Sequence, residues 1–477
     1  MVQEFGIEDP DCYETASKLE IWRSAMKAEM ESIEKNHTWS LVDLPHKCKR
    51  IGVKWIFKTK TDEEGKITKH KARLVAKGYS QREGIHFTEV FAPVARMDTI
   101  RMIISAAAYK GWKMHQLDVK SAFLQGEIEE DVYVDQPRGF EIKGREHCVY
   151  KLHKALYGLK QAPRAWFSKI ESHFMSNGFM NCESEQTLFT KTDKKGSIII
   201  VSVYVDDLIF TGNDQGMMME FKKCMVDMFD MTDLGSMTYF LGIEVKQTEH
   251  GIFICQKKYV EEVLKRFGME ECNAVNCPMV PSTLFESNGD KDKPIDETYY
   301  KQIVGSLMYL TTTRPDIMFS VSMLSRSMAK PTEHHLQLAK KVLRYLRGST
   351  GMGIFYHKET KGRELLAYTD SDFAGDKKDR KSTSGYIFLI SGGAVAWSSK
   401  KQPIVTLSTT EVEFIAAAMC ACQAIWMKRE SEQRRSIELK FCGTHDQLAD
   451  IMTKPLKKST FLKLRKEIGM CTEEEII

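Results

Sequence analysis

The hydrophobic and polar positions of this chain follow two different periods along its first hundred residues. Between residues 16 and 33 the apolar side chains recur mostly every three or four positions, which predicts an amphipathic helix bearing Leu19, Ile21, Trp22, Met26 and Met30. Between residues 51 and 78, two β-rich runs flank the turn sequence DEEGK, and Lys and Arg recur along both runs. This pattern predicts a basic β-hairpin.

The pattern then predicts alternating elements up to residue 269. The segment TIRMIISAAAYKG predicts a helix that ends at Gly111, and the next segment, WKMHQLDV, predicts a strand. The segment KALYGLKQAPRAWFSKIESHFMSNGF predicts a loop followed by a helix. The segment DLGSMTYFLGIEVKQTEHGIFICQKKYVEEVLKRFGM predicts a strand pair and then a helix. Strands and helices therefore mix throughout this region.

A polar segment, PSTLFESNGDKDKPIDE, separates this region from the rest, and its Pro, Gly and Asp content predicts a loop or linker. The pattern of residues 297–348 predicts a largely helical segment. After them, ELLAYTD, GYIFLIS and AVAWSS predict three successive strands, followed by a helix from Thr410. We interpret this last region as a separate α/β unit.

Composition narrows the class of protein. The length allows about three domains, and 42% hydrophobic residues with a net charge of +4 describe a mildly basic globular chain. The 12 cysteines form no CxxC pair and no Cys/His cluster at zinc spacing, which favours reduced thiols and no structural zinc. The acidic N-terminal residues exclude a secretory signal. The longest apolar runs fall well short of the ~20 residues that a membrane-spanning helix needs. We expect a soluble intracellular protein, cytoplasmic or nuclear, without membrane contact.

Two adjacent carboxylates, Asp206 and Asp207, interrupt the apolar stretch IIIVSVYVDDLIFTG. A solvated turn would explain them, but the apolar flanks predict a buried sheet, where paired carboxylates are costly unless a cation compensates them. A two-metal site would do so, and it needs carboxylates from more than one strand. Asp118, at the end of a predicted strand, is the candidate third member, although a helix cap or loop residue is the alternative.

Several long motifs in this order resemble the reverse transcriptases of copia-type long-terminal-repeat retrotransposons. The resemblance runs from about Trp22 to the C-terminus, and its carriers are TWSLVDLP, IGVKWIFKTK, KARLVAKGYSQREGIHFTEVFAPVARMDTIR, LDVKSAFLQGEI, ALYGLKQAPRAWF, YVDDLIFTG, DLGSMTYFLGIEV and VGSLMYLTTTRPDI. It implies an RNA-directed DNA polymerase that uses two Mg²⁺ or Mn²⁺ ions, an RNA template, a DNA primer and dNTPs.

The same resemblance implies a mixed α+β fold, shaped like a right hand. An N-terminal tail (1–15) would precede fingers and palm (16–248), then a thumb and helical connection (249–360), then an incomplete RNase H-like α/β domain (361–477). Protease, integrase and zinc-knuckle signatures are absent. We therefore expect the C-terminal part of a larger Pol polyprotein, or a gene decayed from one.

By position, the resemblance makes Asp118 and Asp206 the main metal ligands and Asp207 the third carboxylate. Phe123 would lie under the incoming sugar and select deoxynucleotides, with plain core packing as the alternative. The resemblance also places Tyr157, Gly158 and Lys160 in the nucleotide pocket, although an ordinary loop would explain them too. It places Phe240, Leu241 and Gly242 in the turn that grips the primer, although an ordinary strand and turn would explain them too. Lys71 or Arg73 would contact the triphosphate, unless the basic hairpin is only a solvated face.

A second carboxylate set resembles the ribonuclease H site of these elements. Asp370 ends a strand, Glu413 lies in the first turn of a predicted helix, and Asp450 would come from the final helix, although a first-turn Glu also suits the helix dipole. The resemblance implies a further strand with another metal-binding Asp between Glu413 and the last strand, which SIELKFCG resembles. Only 37 positions separate Glu413 from Asp450, with no Asp before Asp446, so we expect that this strand and its ligand are deleted. We predict weak or absent ribonuclease H activity.

A competing interpretation is an inactive remnant that at most binds nucleic acid. The incomplete third region favours it, whereas the intact Asp118, Asp206 and Asp207 oppose it. The sequence leaves the oligomeric state open. It also leaves DKKDRKS open as either a nuclear-import patch or a solvated loop.

Overall fold

A computed structural model describes residues 9–61, 67–281, 293–358, 365–430 and 437–476. The predicted DEEGK turn and most of the predicted linker lie outside these ranges. The α-helices are α1 (Tyr13–Ala16), α2 (Glu20–Lys35), α3 (Met97–Lys110), α4 (Ala162–Ser176), α5 (Gln215–Met228), α6 (Lys257–Arg266), α7 (Glu297–Leu310), α8 (Met318–Ser325), α9 (Glu333–Arg347), α10 (Thr409–Glu430), α11 (Asp450–Thr453) and α12 (Lys458–Glu467).

The strands are short and spread over the whole chain. They are β1 (Trp39–Val42), β2 (Arg50–Ile51), β3 (Val53–Thr61), β4 (Ile67–Ala76), β5 (Met114–Val119), β6 (Tyr133–Val134), β7 (Val149–Leu152), β8 (Met180–Cys182), β9 (Glu185–Thr192), β10 (Ile198–Tyr204), β11 (Asp207–Gly212), β12 (Met231–Ser236), β13 (Tyr239–Phe240), β14 (Ile243–Gln247), β15 (Gly251–Cys255), β16 (Met352–His357), β17 (Leu366–Ser371), β18 (Thr383–Ile390), β19 (Gly393–Lys401) and β20 (Met470–Thr472).

Within the described residues these strands form five sheets. The central sheet has the order β12-β5-β11-β10-β9-β8, and the predicted basic hairpin is the antiparallel pair β3-β4. The other sheets have the orders β1-β7-β6-β2, β13-β14-β15-β16-β20 and β17-β18-β19. The mixed α/β character expected from the sequence is confirmed.

Both faces of the central sheet are buried, because successive strand residues point to opposite sides. On β11, Phe210 packs into a cluster with Trp166 of α4 and Phe221 of α5, whereas Ile209 packs into a second cluster with Ile100 of α3. A strand that is covered on both sides reads as a continuous apolar run.

Helix α2 confirms only part of the predicted amphipathic pattern. Trp22, Met26 and Met30 are buried against the β3-β4 hairpin, whereas Leu19 and Ile21 are exposed. The buried face follows the spacing of four residues, and Leu19 precedes the first residue of the helix. Helix α3 ends as predicted at Gly111, whose φ of 66° lies in the left-handed region that Gly adopts without a Cβ clash.

The predicted third unit shares its core with the rest of the molecule. Strand β20 pairs with β16, outside that unit. Arg101 of α3 donates a 2.7 Å hydrogen bond from Nε to the carbonyl of Val395 on β19, and its guanidinium stacks 4.0 Å from the Trp397 ring. This region therefore packs against the rest of the described chain, and its status as a domain and the boundaries near residues 248 and 360 stay predictions.

Two further expectations fail in the C-terminal region. Residues 437–443, which cover the described part of SIELKFCG, form no strand. The stretch Thr409–Lys428 of α10 is long and apolar enough, by length and composition, to cross a membrane, contrary to the expectation from the apolar runs. Core helices of soluble proteins pass the same test, and α10 packs on β17 and β18.

Candidate active site

The paired carboxylates of the apolar stretch lie at the tip of the β10-β11 hairpin. Tyr204 pairs with Asp207, so Val205 and Asp206 form a two-residue loop. Val205 has a φ of 56°, a conformation usually taken by Gly at the first loop position of a hairpin. The predicted tight hairpin is confirmed, and its turn is strained.

Two hydrogen bonds hold this turn. The indole Nε1 of Trp166 donates to the Val205 carbonyl at 2.6 Å, and the main-chain N–H of Val119 donates to the Asp206 carbonyl at 2.8 Å. Trp166 is buried in α4, within the predicted QAPRAWF helix start. The sequence analysis missed this role, because nothing in the sequence links Trp166 with a loop 39 positions away.

The third carboxylate arrives from the neighbouring strand. Asp118 on β5 lies directly opposite Asp207 on β11 in the antiparallel register. Side chains of directly opposite residues point to the same face, with Cβ atoms about 4.5–5.5 Å apart. The structure therefore brings together Asp118, Asp206 and Asp207 at one end of the central sheet, with Asp206 exposed and the other two half-buried.

Among the described residues, Asp118, Asp206 and Asp207 form no ion pair. Burial raises the pKa of Asp207 to about 6, and repulsion from Asp206 and Asp118 adds to the shift, although Gln116 Nε2 donates a 3.0 Å hydrogen bond to its Oδ1. Burial and the Asp206 charge likewise raise the pKa of Asp118. Gln116 is a second residue that the sequence analysis missed.

These residues fit divalent cations. Carboxylate oxygens are the donors that Mg²⁺ and Mn²⁺ prefer, and the raised pKa values report negative charges that a bound cation would stabilise. In the described chain the three side chains do not place one oxygen each within 4.8 Å of the others.

The basic hairpin contributes charge near this site. Lys60 and Lys71 both act electrostatically on Asp118 and lower its pKa. Arg73 is instead paired with the buried Glu29 of α2, and its guanidinium lies 4.9 Å from the Tyr157 ring. Arg73 is thus held in place by the protein, whereas Lys71 forms no ion pair in the described part of the chain.

The predicted nucleotide-pocket residues lie on adjacent segments. The Phe123 and Tyr157 rings are 5.2 Å apart, and both pack against the hydrophobic cluster that contains Trp22. Gly158 has a φ of 87°, and a Cβ there would lie 2.3 Å from the Ala76 carbonyl oxygen. Gly is therefore required by close approach of the loop to β4.

Lys160 lies at the surface beyond this loop. Its main-chain N–H donates a 2.8 Å hydrogen bond to Gln81 Oε1, and its ammonium lies 4.7 Å from the Phe87 ring. The structure therefore fixes its backbone while leaving the side chain exposed.

The predicted primer-grip residues form the turn between β13 and β14. Phe240 pairs with Ile243 across that turn, and Leu241 and Gly242 both have positive φ, of 48° and 75°. Phe240 is buried, and its ring centroid lies 6.3 Å from that of Tyr204 in the Asp206–Asp207 hairpin. Tyr309 Oη donates a 2.5 Å hydrogen bond to the Leu241 carbonyl. The turn is thus connected to the carboxylate hairpin by one aromatic contact.

The second carboxylate set also converges. Asp370 on β17 accepts a hydrogen bond from Thr453 of α11 and lies 3.5 Å from Lys454 Nζ, which is 2.8 Å from Asp450 Oδ1. Burial raises the pKa of Glu413, and repulsion from Asp370 adds to it. The paired lysine is a feature that the sequence analysis missed.

Two placements in this set differ from expectation. Asp450 begins the four-residue helix α11 rather than belonging to the final helix α12. Helix α10 begins at Thr409, so Glu413 lies one residue past the first turn. The helix dipole acts mainly within the first turn, and it therefore accounts for Glu413 less well than the sequence suggested.

Comparison with known proteins decides the family. The sequence profile described as "Reverse transcriptase (RNA-dependent DNA polymerase)" matches residues 36–281, more than half of the chain. The chain belongs to this reverse transcriptase family. The predicted resemblance to copia-type Pol polyproteins is confirmed.

Similar proteins include two plant Pol polyproteins. The Retrovirus-related Pol polyprotein from transposon TNT 1-94 of Nicotiana tabacum is 42% identical over 85% of this chain and 31% of its own length. The corresponding polyprotein from transposon RE1 of Arabidopsis thaliana is 39% identical over 95% of this chain and 34% of its own length. This reverse transcriptase chain therefore spans about a third of the length of these relatives.

Among solved structures, a foamy viral protease-reverse transcriptase in complex with double-stranded DNA is similar with a TM-score of 0.46 and 10% identity. The match covers 93% of this chain and 67% of that one.

Proposed function

We propose that this chain is an RNA-directed DNA polymerase whose active site is the end of the central sheet formed by Asp118, Asp206 and Asp207. The observation that carries the proposal is the register that sets Asp118 opposite Asp207, with Asp206 at the adjoining hairpin tip. Three carboxylates that share one end of a sheet in a member of this family are suited to nucleotidyl transfer.

The carboxylates would hold two Mg²⁺ or Mn²⁺ ions. When bound, such ions supply activation of the primer 3′-hydroxyl and stabilisation of the pyrophosphate leaving group. Asp118 and Asp206 would be the main ligands, and Asp207 would be the third carboxylate. The Gln116 hydrogen bond orients the Asp207 carboxylate.

The remaining residues would position the substrates, which are an RNA template, a DNA primer and dNTPs. Lys71 would contact the triphosphate, because it lies near Asp118 and no carboxylate within ion-pair distance in the described chain neutralises it. Phe123, packed against Tyr157, would lie under the sugar and exclude a 2′-hydroxyl. Gly158 and Lys160 would line the same pocket.

The turn of Phe240, Leu241 and Gly242 would hold the primer terminus. Its buried Phe240 is packed near Tyr204, so a displacement of the primer-binding turn would also shift the hairpin that carries Asp206 and Asp207. Fingers and palm would then correspond to residues 16–248, and the thumb with the helical connection to residues 249–360.

The test is primer extension on an RNA template by the purified chain with Mg²⁺. We expect Asp206→Asn to lower kcat at least about a hundredfold, as when other electrostatic catalytic groups are removed. Asp227→Asn is the matched control, because Asp227 is exposed on α5 and makes the same charge change away from the site. Extension that survives Asp206→Asn, or a folded wild type without Mg²⁺-dependent extension, would contradict the proposal.

A further inference from the structure

A mixed set of metal-binding side chains lies outside the polymerase site. Asp43 Oδ1 is 3.4 Å from His147 Nε2 and 3.3 Å from Cys148 Sγ, and His147 Nε2 is 3.5 Å from Cys148 Sγ. Within the described ranges this is the one group of three such residues whose ligand atoms all lie within 4.8 Å of one another.

These three distances match the edges of a zinc coordination tetrahedron. Zn²⁺ binds oxygen and nitrogen at about 2.0–2.2 Å and sulfur at about 2.3 Å, so tetrahedral ligand atoms are about 3.3–3.6 Å apart. The observed separations of 3.3, 3.4 and 3.5 Å therefore leave room for an ion in contact with all three atoms.

The backbone holds two of the ligands in place. Val42, the last residue of β1, pairs with Val149, the first residue of β7. Asp43 directly follows Val42 and Cys148 directly precedes Val149, so both lie at the same end of this strand pair. The Cys148 N–H donates a 3.0 Å hydrogen bond to the Arg145 carbonyl, and its own carbonyl accepts one from Gln136 Nε2. Cys148 is buried, whereas Asp43 and His147 are exposed and accessible to an ion.

We propose that Asp43, His147 and Cys148 bind one Zn²⁺ ion, which fastens the end of β1 to the start of β7. Thiolate and imidazole ligands favour Zn²⁺ over Mg²⁺, so this site differs chemically from the all-carboxylate polymerase site. Three protein ligands leave a fourth position for water. Ligand spacing along the chain does not reveal this site, because Asp43 lies more than a hundred positions before the other two ligands.

The test is metal binding by the intact chain. The protein, freed of metal with a chelator, is titrated with Zn²⁺ against a chromophoric competitor and with Co²⁺, whose thiolate charge-transfer absorption reports a bound cysteine. We expect one tight equivalent in the wild type and a higher Tm with Zn²⁺. His147→Ala, Asp43→Asn and Cys148→Ser should each weaken binding at least about tenfold, since even residues beyond the direct ligands have effects of that size.

The chain contains its own matched control. Cys224 Sγ lies 3.5 Å from His173 Nε2 and 3.6 Å from Asn177 Oδ1, so the same Cys–His pair has an amide in place of the carboxylate. Cys224→Ser should leave the tight equivalent unchanged. Unchanged affinity in both His147→Ala and Asp43→Asn, which alter exposed side chains, or an equal loss in Cys224→Ser, would overturn the proposal.

Discussion

The indole N–H of Trp166 donates a 2.6 Å hydrogen bond to the main-chain carbonyl of Val205, whose φ of 56° turns the hairpin that carries Asp206 and Asp207. A left-handed conformation costs a non-glycine residue about 1–2 kcal/mol. Such strain persists only where the surrounding structure enforces it. Trp166 therefore helps to keep the Asp206 carboxylate in position.

We predict that Trp166→Phe lowers the free energy of unfolding by about 1–3 kcal/mol, because it leaves a half-buried carbonyl without its donor. It should also lower kcat of primer extension more than it changes KM, because small displacements of catalytic groups are costly. Denaturant unfolding and steady-state extension measure the two effects.

Trp22→Phe is the control for the loss of ring volume. The Trp22 Nε1 is buried and makes no hydrogen bond among the described atoms, so this change should alter stability but spare kcat. Equal effects of both changes on kcat would contradict the role of the Trp166 hydrogen bond.

The two basic residues of the hairpin are predicted to differ. Lys71→Ala should lower kcat/KM for dNTPs about 10–100-fold, the size expected for one charge-assisted hydrogen bond to phosphate, and leave folding almost unchanged. Arg73→Ala should instead destabilise the protein by about 3 kcal/mol, because it leaves Glu29 buried and unpaired. Steady-state kinetics and urea unfolding distinguish the two.

Glu29→Gln provides the check on this division. It removes the charge that Arg73 neutralises, so it should affect stability and leave the KM for dNTPs within about twofold. A Lys71→Ala variant with unchanged kcat/KM would show that the hairpin is a solvated basic face.

The comparison of Asp118 with Trp166 shows what the sequence could predict. Asp118 and the Asp206–Asp207 pair lie at or near the ends of apolar strands, a local pattern visible as polar residues that interrupt an apolar run, and their role follows once a shared sheet is assumed. The contacts of Trp166 with Val205 and of Arg73 with Glu29 depend on packing between distant segments, which no local period records.

Other failures have the same origin. The resemblance to the family predicts a strand at SIELKFCG, but strand formation needs a partner edge, and the described residues 437–443 pair with no strand. Strand β20 does pair with β16, although its three residues carry little β-pattern of their own. Tertiary pairing decides both cases over local propensity.

Acid should destabilise the protein partly through His115. Burial lowers its pKa below the ordinary value of 6.5, and the Lys222 and Lys113 charges lower it further, whereas Asp233 and a main-chain hydrogen bond at Gly235 oppose the shift. Because the unfolded state then binds the proton first, the free energy of unfolding is unaffected above about pH 6.5 and falls as the pH drops through 6.5 towards the folded pKa.

Replacement of His115 measures this contribution. His115→Gln should remove part of the loss of stability between about pH 7 and pH 5, measured as urea midpoints at each pH. His46→Gln alters an exposed histidine and serves as the control. If the pH profile of His115→Gln follows the wild type throughout, other groups account for the acid sensitivity.

The ribonuclease H-like set is predicted to cleave RNA:DNA hybrids weakly or not at all. The Lys454 ammonium lies 2.8 Å from Asp450 and 3.5 Å from Asp370, so positive charge from the protein already pairs with two of the carboxylates that a metal would need. The described sheet of this region has only the strands β17, β18 and β19, and the further strand with an Asp ligand that the resemblance implies has no recognised counterpart between Glu413 and Asp450.

The measurement is cleavage of a labelled RNA strand in a hybrid with Mg²⁺, using the wild type, Asp370→Asn and Asp206→Asn. We expect all three proteins to show the same background, while only Asp206→Asn loses primer extension. Lys454→Ala should not restore cleavage, because the missing ligand remains absent. The prediction is wrong if the wild type cleaves the hybrid robustly and Asp370→Asn abolishes this cleavage. In that case Asp370, Glu413 and Asp450 suffice for catalysis, and a metal displaces the Lys454 ammonium.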